Sequence, residues 1–475
     1  MQEYITTVSK YLLPLCMGFY AFECFSILFN KKESDRGFLY LRQNFWMFAI
    51  QFISFVNLAL VSRDKQYIYM YVLVQLLLLT IVLIPVLVYR KINRFLLNNM
   101  AMLMGIGLVM LCRLSIEKAQ RQFIIMVVSL IISMFVPLIV EKVKILHKLT
   151  WIYATVGLLL LSVVLLLSES TLGAKITYTI SGLTFQPSEF VKILFIFFVA
   201  GALWEDHSFK RVCITTVIAA LHVLVLVLST DLGGALIFFV AYLAMLFVAT
   251  NNVLYLLAGA LAGSGAAVVA YHLFSHIKVR VLAWQDPWSY IDGKGYQITQ
   301  SLFAIGSGSW FGMGLYSGNP DDIPLVEADF IFSSICEEYG VIFAVCFILM
   351  IVTCFLMMME IAIRQHNNFY RLVSLGIGVV YIFQIFLTVG GGIKFIPLTG
   401  VTLPFISYGG SSILSTMLMF FILQGISIIN MKEGGKRRVR RKRKVSKEII
   451  EVELGENSSG EEDSGEKNGE KVGQS

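Results

Sequence analysis

Long apolar runs dominate the chain, and the polar clusters between them recur at intervals that a bilayer would impose. Nearly uninterrupted apolar stretches fall at 11–29, 44–62, 68–89, 96–112, 122–140, 149–168, 190–204, 212–228, 232–250, 253–274, 330–359, 372–391 and 404–430. Each approaches the ~20 residues that an α-helix needs to cross ~30 Å of hydrocarbon, so the pattern predicts an all-α polytopic membrane protein. The first run is the least regular, because it carries Pro14 and Glu23. No small-residue cleavage site follows it before "NKKESDR", so it is expected to remain as a span and not to be removed as a signal peptide.

The connecting segments alternate in charge. "KKESDRGFLYLR", "RKINR", "EKVKILHK", "EDHSFKR", "RQHNNFYR" and "KEGGKRRVRRKRKVSK" are basic and fall on one side. That side holds roughly two dozen Lys and Arg against about ten on the other, which makes it, with the C-terminus, cytoplasmic. Segments 169–189, 275–329 and 391–403 then lie outside, and they collect the Gly, Pro, aromatic and polar residues that usually carry function. Chemistry on that face would not draw on ATP, and the chain has no Walker-type glycine loop.

Composition agrees with the pattern. Hydrophobic residues make up 57% and charged residues 15%, too little charge to cover a soluble domain of this length. The seven cysteines (Cys16, Cys24, Cys112, Cys213, Cys336, Cys346 and Cys354) show no C-x-x-C spacing and read as small buried hydrophobes. Histidines are few and scattered, with no transition-metal pattern. The segment 431–475 opens with a polybasic run and continues acidic and Ser/Gly-rich, the composition of a disordered tail. The basic run is a topology anchor or a site for anionic lipid or a cytoplasmic partner. The net charge of +7 owes most to this tail, so nucleic-acid binding has no support.

Ionisable groups at membrane depth cost roughly 2.5–3.5 kcal/mol each on insertion scales, so each needs a reason. Glu189 and Lys192 in "QPSEFVK" share a helical face and can pair, as a structural lock or as part of a site. Asp231 in "STDLGGAL" stands where a helix cap stands. Arg280 and Lys394 bring positive charge to the outer face, where they could hold a pyrophosphate or merely anchor at the interface. Asp329 in "IPLVEADFIFSSICEEYG" closes a long loop and opens a helix, two residues after Glu327. Two acids in a partly dry groove raise one pKa, which suits a general base, but a plain N-cap accounts for Asp329 equally well. Glu337 and Glu338 fall deeper in the same helix, where at least one must be paired or protonated.

These motifs, in order, resemble the SEDS family (shape, elongation, division and sporulation), to which RodA and FtsW belong. The pieces are "RQFIIMVV" (121–128), "GLTFQPSEFVK" (182–192), "DLGGAL" (231–236), "GYQITQSLFAIGSGSWFGMGL" (295–315), "DFIFSSICEEYG" (329–340) and "IPLTGVTLPFISYGGSSIL" (396–414). The resemblance implies a core of about ten transmembrane helices over 96–430, preceded by up to three additional helices within 1–95. It further implies an inverting glycosyltransferase of the bacterial plasma membrane that polymerises lipid II with a class B penicillin-binding protein as partner. By resemblance Asp329 is the catalytic acid. Glu189, Lys192, Asp231, Arg280, Gln297 and Glu327 are then expected to bind substrate or to support the groove, as are Glu338, Lys394, Ser407 and Tyr408. No cofactor is implied with certainty, and a divalent cation stands as an alternative to Arg280 or Lys394 for meeting leaving-group charge. A lipid II flippase and a non-catalytic scaffold for the synthase are the competing readings.

The chain also departs from the family pattern. "GAKITY" has Ile176 and Thr177 where Arg-Trp is common, which leaves Lys175 to supply the charge. Before "DFIF" the common P-E-x-H-T reads "PLVEA", so Leu325, Glu327 and Ala328 replace an acid, an imidazole and a hydroxyl. Met313 stands where a lysine is usual, and Ser-Thr precedes Asp231 where Gln-Pro is usual.

Overall fold

A computed structural model describes residues 2–30, 33–167, 178–180 and 183–433. Lys175, Ile176, Thr177 and the tail beyond Glu433 lie outside the described residues. The helices run in chain order as α1 (Gln2–Phe29), α2 (Glu33–Ser62), α3 (Gln66–Val88), α4 (Arg94–Leu114), α5 (Ile116–Ser133), α6 (Val136–Lys142) and α7 (Thr150–Leu167). A hairpin of β1 (Tyr178–Ile180) and β2 (Leu183–Phe185) follows, antiparallel with Tyr178 opposite Phe185. Then come α8 (Pro187–Leu203), α9 (Phe209–Leu228), α10 (Leu232–Thr250), α11 (Val253–Leu273), α12 (Ser275–Gln285), α13 (Tyr296–Gly308), α14 (Ile331–Arg364), α15 (Asn368–Gly392) and α16 (Gly410–Glu433). Among the described residues, 11 spans are long and apolar enough to cross a membrane, with α5 and α6 together forming one of them. The shorter apolar helices α7 and α8 complete the correspondence with the runs read from the sequence.

Helix ends are set by local chemistry. Asn93, Ser115, Ser208, Asp231, Asn252 and Asn367 each accept a backbone N–H from the first turn of the helix they precede. Pro137 cannot continue the α5 ladder, and the Met134 carbonyl beside the break is taken by the Tyr89 hydroxyl. The central element is α4, whose residues Phe95 to Arg113 are all buried. At the other extreme α11 has no buried residue and packs on α10 and α12 alone among the major contacts.

The three N-terminal helices are joined to this core. α1 packs along α14, and α2 packs along α4. Between them, Tyr20 donates to Asn99 Oδ1 (3.0 Å) and Asn98 Nδ2 donates to Gln43 Oε1 (2.9 Å), a polar network with no exposure to solvent. Such bonds give packed membrane helices a specific register where apolar contact alone does not.

α14 differs from its expected form. The sequence predicts an unbroken span over 330–359, but Gly340 has φ +85° and divides the helix. The carbonyls freed at the break accept from the segment after α13: Met313 N–H to Glu337 (2.7 Å) and Gly314 N–H to Glu338 (3.1 Å). In return Val341 N–H donates to Ser309 (3.0 Å) and Ile342 N–H to Trp310 (3.1 Å). The region 275–329, expected as a loop, is thus an ordered assembly of α12, α13 and a strip inserted into a broken helix.

Gly340→Ala should destabilise the protein strongly. A Cβ there would lie 2.2 Å from the Gly312 nitrogen, on a backbone that L-residues avoid. The expected loss is on the order of 2 kcal/mol or more, read as a fall in thermal midpoint in detergent; an unchanged midpoint would show that the break tolerates relaxation.

Candidate active site

The helix ends and connecting strips that carry polar motifs meet at one end of the bundle. These are the α4–α5 corner, the starts of α8, α10 and α14, the helix α12, and the strip between α15 and α16. Asp329 is half-buried here, one residue before Phe330 and the start of α14. Its segment is held by a small apolar cluster of Ala304, Ile323, Val326 and Phe330, against which Leu114 and Leu398 pack. The "SYGG" segment fixes the backbone next to it. The Ser407 hydroxyl donates to the Ala328 carbonyl and accepts from Leu403 N–H (2.8 Å), while Tyr408 N–H donates to the Glu327 carbonyl (2.7 Å). Gln122 of α5 donates from Nε2 to the Ser407 carbonyl (3.0 Å). Ser407 and Tyr408 therefore shape the acid's loop through backbone bonds.

Arg280 projects from α12 toward the acid. Its Nη1 donates to the Leu398 carbonyl (3.1 Å), and about one turn further along α12 Trp284 Nε1 donates to the Lys394 carbonyl (3.1 Å). Gly400 stands between the two charges. A Cβ on it would lie 3.7 Å from Asp329 Oδ2 and 3.9 Å from Arg280 Nη2, on a backbone with φ +74°. Glycine thus keeps the space between acid and guanidinium open. Leu325 (φ +59°), Lys394 (φ +59°) and Phe405 (φ +66°) hold left-handed backbone in the strips that frame this space. Such strain concentrates where a fixed geometry has been retained at a cost.

Burial dominates the electrostatics of Asp329 and pushes its carboxyl up to about 6; Arg280 pulls it down and Glu327 pushes it up further. Glu327 is itself paired with Lys118 of α5. The Asp329 carboxyl thus has a cation and an anion beside it, and the anion is partly neutralised by a second cation.

A second polar cluster lies across Gly400. Lys192 Nζ donates to Glu189 (2.9 Å to Oε2) and to Gln384 Oε1 (2.9 Å), and Ser415 Oγ donates to Glu189 Oε2 (2.8 Å). Asp231 caps α10 by accepting Gly234 N–H (2.8 Å) and also accepts the Ser188 hydroxyl (3.1 Å). Burial pushes the Asp231 carboxyl above its usual range against both of those bonds. Gln384 Nε2 donates to the Thr402 carbonyl (2.9 Å), which ties α15 to the strip that carries Gly400. The cavity enclosed by Ser188, Glu189, Lys192, Asp231 and Thr402 measures ≈ 30 Å³, enough for about one water. Asp231 is thus the helix cap that its position in the sequence suggested, and it also lines this small cavity.

The remaining candidates are placed elsewhere. Glu338 is 1% exposed and bonded to Arg113 (Nε to Oε1, 2.9 Å) and to Tyr316 N–H. Arg113 also reaches the Gly318 carbonyl (2.8 Å) and Asp321 (3.1 Å), while Glu337 accepts Asn319 N–H (2.8 Å). This pair thus pins the strip 313–322 and does not face Asp329. Lys394 shares the strip with Leu398, but its ammonium acts on Asp286, whose carboxyl is held low chiefly by Ser289 and more weakly by Lys394. Gln297, in the first turn of α13, is half-buried, and no described hydrogen bond joins it to the Asp329 cluster.

Sequence reasoning missed Arg113, Lys118, Gln122, Gln384 and Ser415. Arg113 and Lys118 had a signal, because they are cations on the side where the charge rule expects few. Gln384, a lone amide inside an apolar run, was legible on the same grounds as the acids.

The assembly is a multi-pass helical bundle with a polar, arginine-faced recess at one end. Residues 93–432 match the FtsW/RodA/SpoVE profile, described as a cell cycle protein. The chain belongs to that family. It is 32% identical over 362 residues to the peptidoglycan glycosyltransferase RodA of Mycobacterium bovis, covering 70% of this chain and 77% of that one. It is 34% identical over 271 residues to the probable peptidoglycan glycosyltransferase FtsW of Aliivibrio salmonicida, covering 54% and 67%. Among solved structures, a chain of a peptidoglycan synthase complex that coordinates polymerization and crosslinking superposes with a TM-score of 0.61 at 23% identity, over 71% of this chain and 98% of that one. That last likeness is one of fold.

Removing the guanidinium with Arg113→Met should leave Glu338 buried without its charge partner. The expected cost is about 3–5 kcal/mol of stability, read as a large drop in thermal midpoint; a midpoint equal to wild type would mean that the pair does not hold the strip.

Proposed function

We infer that this protein is a peptidoglycan glycosyltransferase that polymerises lipid II at the outer face of the bacterial plasma membrane. The observation that carries the reading is the half-buried Asp329 carboxyl facing Arg280 across Gly400, at the end of the bundle where the polar motifs meet. A base of pKa about 6 is mostly ionised at neutral pH yet basic enough to accept a proton. Asp329 takes the proton from the 4-hydroxyl of the acceptor GlcNAc. The resulting oxygen attacks the anomeric carbon of the donor MurNAc with inversion, and the bond to undecaprenyl pyrophosphate breaks with its electron pair on the leaving phosphate. Arg280 is the cation placed to meet that charge. Lys394, on the strip between α15 and α16, and a divalent cation are the alternatives for meeting that charge.

Among the described residues, no group of three or more His, Cys, Asp or Glu side chains is placed to hold a metal ion. The buried groups on which the transporter reading rests are engaged in internal bonds: Lys192 with Glu189 and Gln384, Glu338 with Arg113, and Glu337 with Asn319 N–H. The working partner would be a class B penicillin-binding protein. The charge asymmetry of the loops supports a recess on the outer face and a C-terminus in the cytoplasm.

Asp329→Asn should lower the rate of glycan formation from lipid II by about 10²–10⁴-fold, measured on gels with the purified protein and its partner synthase. Normal polymerisation by this variant would end the base assignment. Because the base must be ionised, kcat/KM should rise with pH through a midpoint near 6. Glu327→Gln removes a neighbouring anion and should move that midpoint down, whereas Lys118→Met leaves Glu327 unopposed and should move it up. A common shift in one direction would refute the proposed charge balance.

A further inference from the structure

The helices α1–α3 precede the matched family region, which begins at residue 93, and nothing assigned so far gives them a task. Their contacts point to one. Tyr11 of α1 packs its ring 5.1 Å from that of Phe311. A Cβ on Gly314 would stand 3.3 Å from the Thr6 methyl. Tyr67, in the first turn of α3, lies beside Tyr316, over whose ring the Arg113 guanidinium lies at 4.6 Å. Ser54 of α2 meets the Tyr339 hydroxyl (3.3 Å) on the short outer piece of α14. Every one of these contacts falls on the strip 311–316 or on the half-helix that the strip completes.

The strip is continuous with the acid. From Tyr316 the chain passes Gly318, Asn319 and Asp321, all bonded by Arg113 or Glu337, and then enters the cluster that holds Val326 and Phe330. The block is anchored on its other side, because Tyr20 and Gln43 are fixed to Asn98 and Asn99 of α4.

We propose that α1–α3 form a positioning block that clamps the strip 311–316 and so sets the placement of the Asp329 loop against Arg280. Tyr67, Tyr11 and Tyr316 are positioning residues in this account, and none touches the reacting atoms. The functional half of the proposal rests on Asp329 acting as the base.

The test uses the full chain in lipid nanodiscs with its partner synthase and lipid II. Tyr67→Ala should raise amide hydrogen exchange across 313–330, leave exchange in 345–364 unchanged, and lower kcat on the order of 10-fold or more with KM little altered. Its acid limb in the pH profile should also move, which a loss of global stability would not cause. Tyr67→Phe and Tyr316→Phe keep the rings and remove one hydroxyl each; they should move the same readouts less, and the double variant should be no worse than the more affected single. These two carry the test if Tyr67→Ala fails to fold. Unchanged exchange across 313–330 overturns the proposal whatever becomes of the base assignment, and raised exchange with unchanged kcat overturns it as well. Polymerisation by Asp329→Asn is the separate result that removes the base assignment, and the exchange data then decide the clamp alone.

Discussion

In an apolar surrounding, a helix can be interrupted only where another segment takes over its backbone hydrogen bonds. α14 is interrupted at Gly340, and the strip 309–314 supplies that replacement on both sides of the break. Much of the recess depends on this exchange. It gives the half-helix 331–339 a direction independent of the long span beneath it. It also brings the strip down onto Glu337 and Glu338, where Arg113 can bind both the acid and the strip's carbonyl. Asp329 stands at the head of that half-helix, so its position follows from a bond pattern made about two turns away.

The charges around the recess are arranged by depth. Deep pairs are closed: Arg113 with Glu338, and Lys192 with Glu189, each supported by further hydrogen bonds. Buried ion pairs add little net stability but are costly to break, which makes them good fixtures. Near the opening the pairing is looser. Arg280 faces Asp329 without a direct bond to it and spends one donor on the Leu398 carbonyl, which leaves guanidinium donors for an anionic group. The division separates groups that hold the recess in shape from those that can meet a substrate.

Much of this was legible in the sequence. The spans were, because the length of an apolar run is dictated by the thickness of hydrocarbon, and each run lies on a helix or, at 122–140, on the α5–α6 pair. Asp329 at the head of a helix was legible, and so was the Glu189–Lys192 pair at a spacing of three. The break at Gly340 was not, since glycine is common in membrane helices. Nor was the role of Glu338, because its partner Arg113 lies 225 residues away and no local spacing connects them. The order within 275–329 was hidden for a related reason. α13 takes its place from packing on α14, and glycines that read as loop markers serve there to bring two backbones together.

The exposed course of α11 has a consequence for Arg280. α12 follows α11 directly, and among the described residues the main contacts of α11 are with α10 and with α12 itself. The rest of its surface is covered by whatever lipid surrounds the protein. In a membrane such a helix is retained by packing and by the cost of disturbing its neighbours, not by exclusion from water. The guanidinium opposite Asp329 is therefore suspended from a post set partly in the bilayer. Lateral pressure and acyl-chain order then reach the recess through α11 and α12.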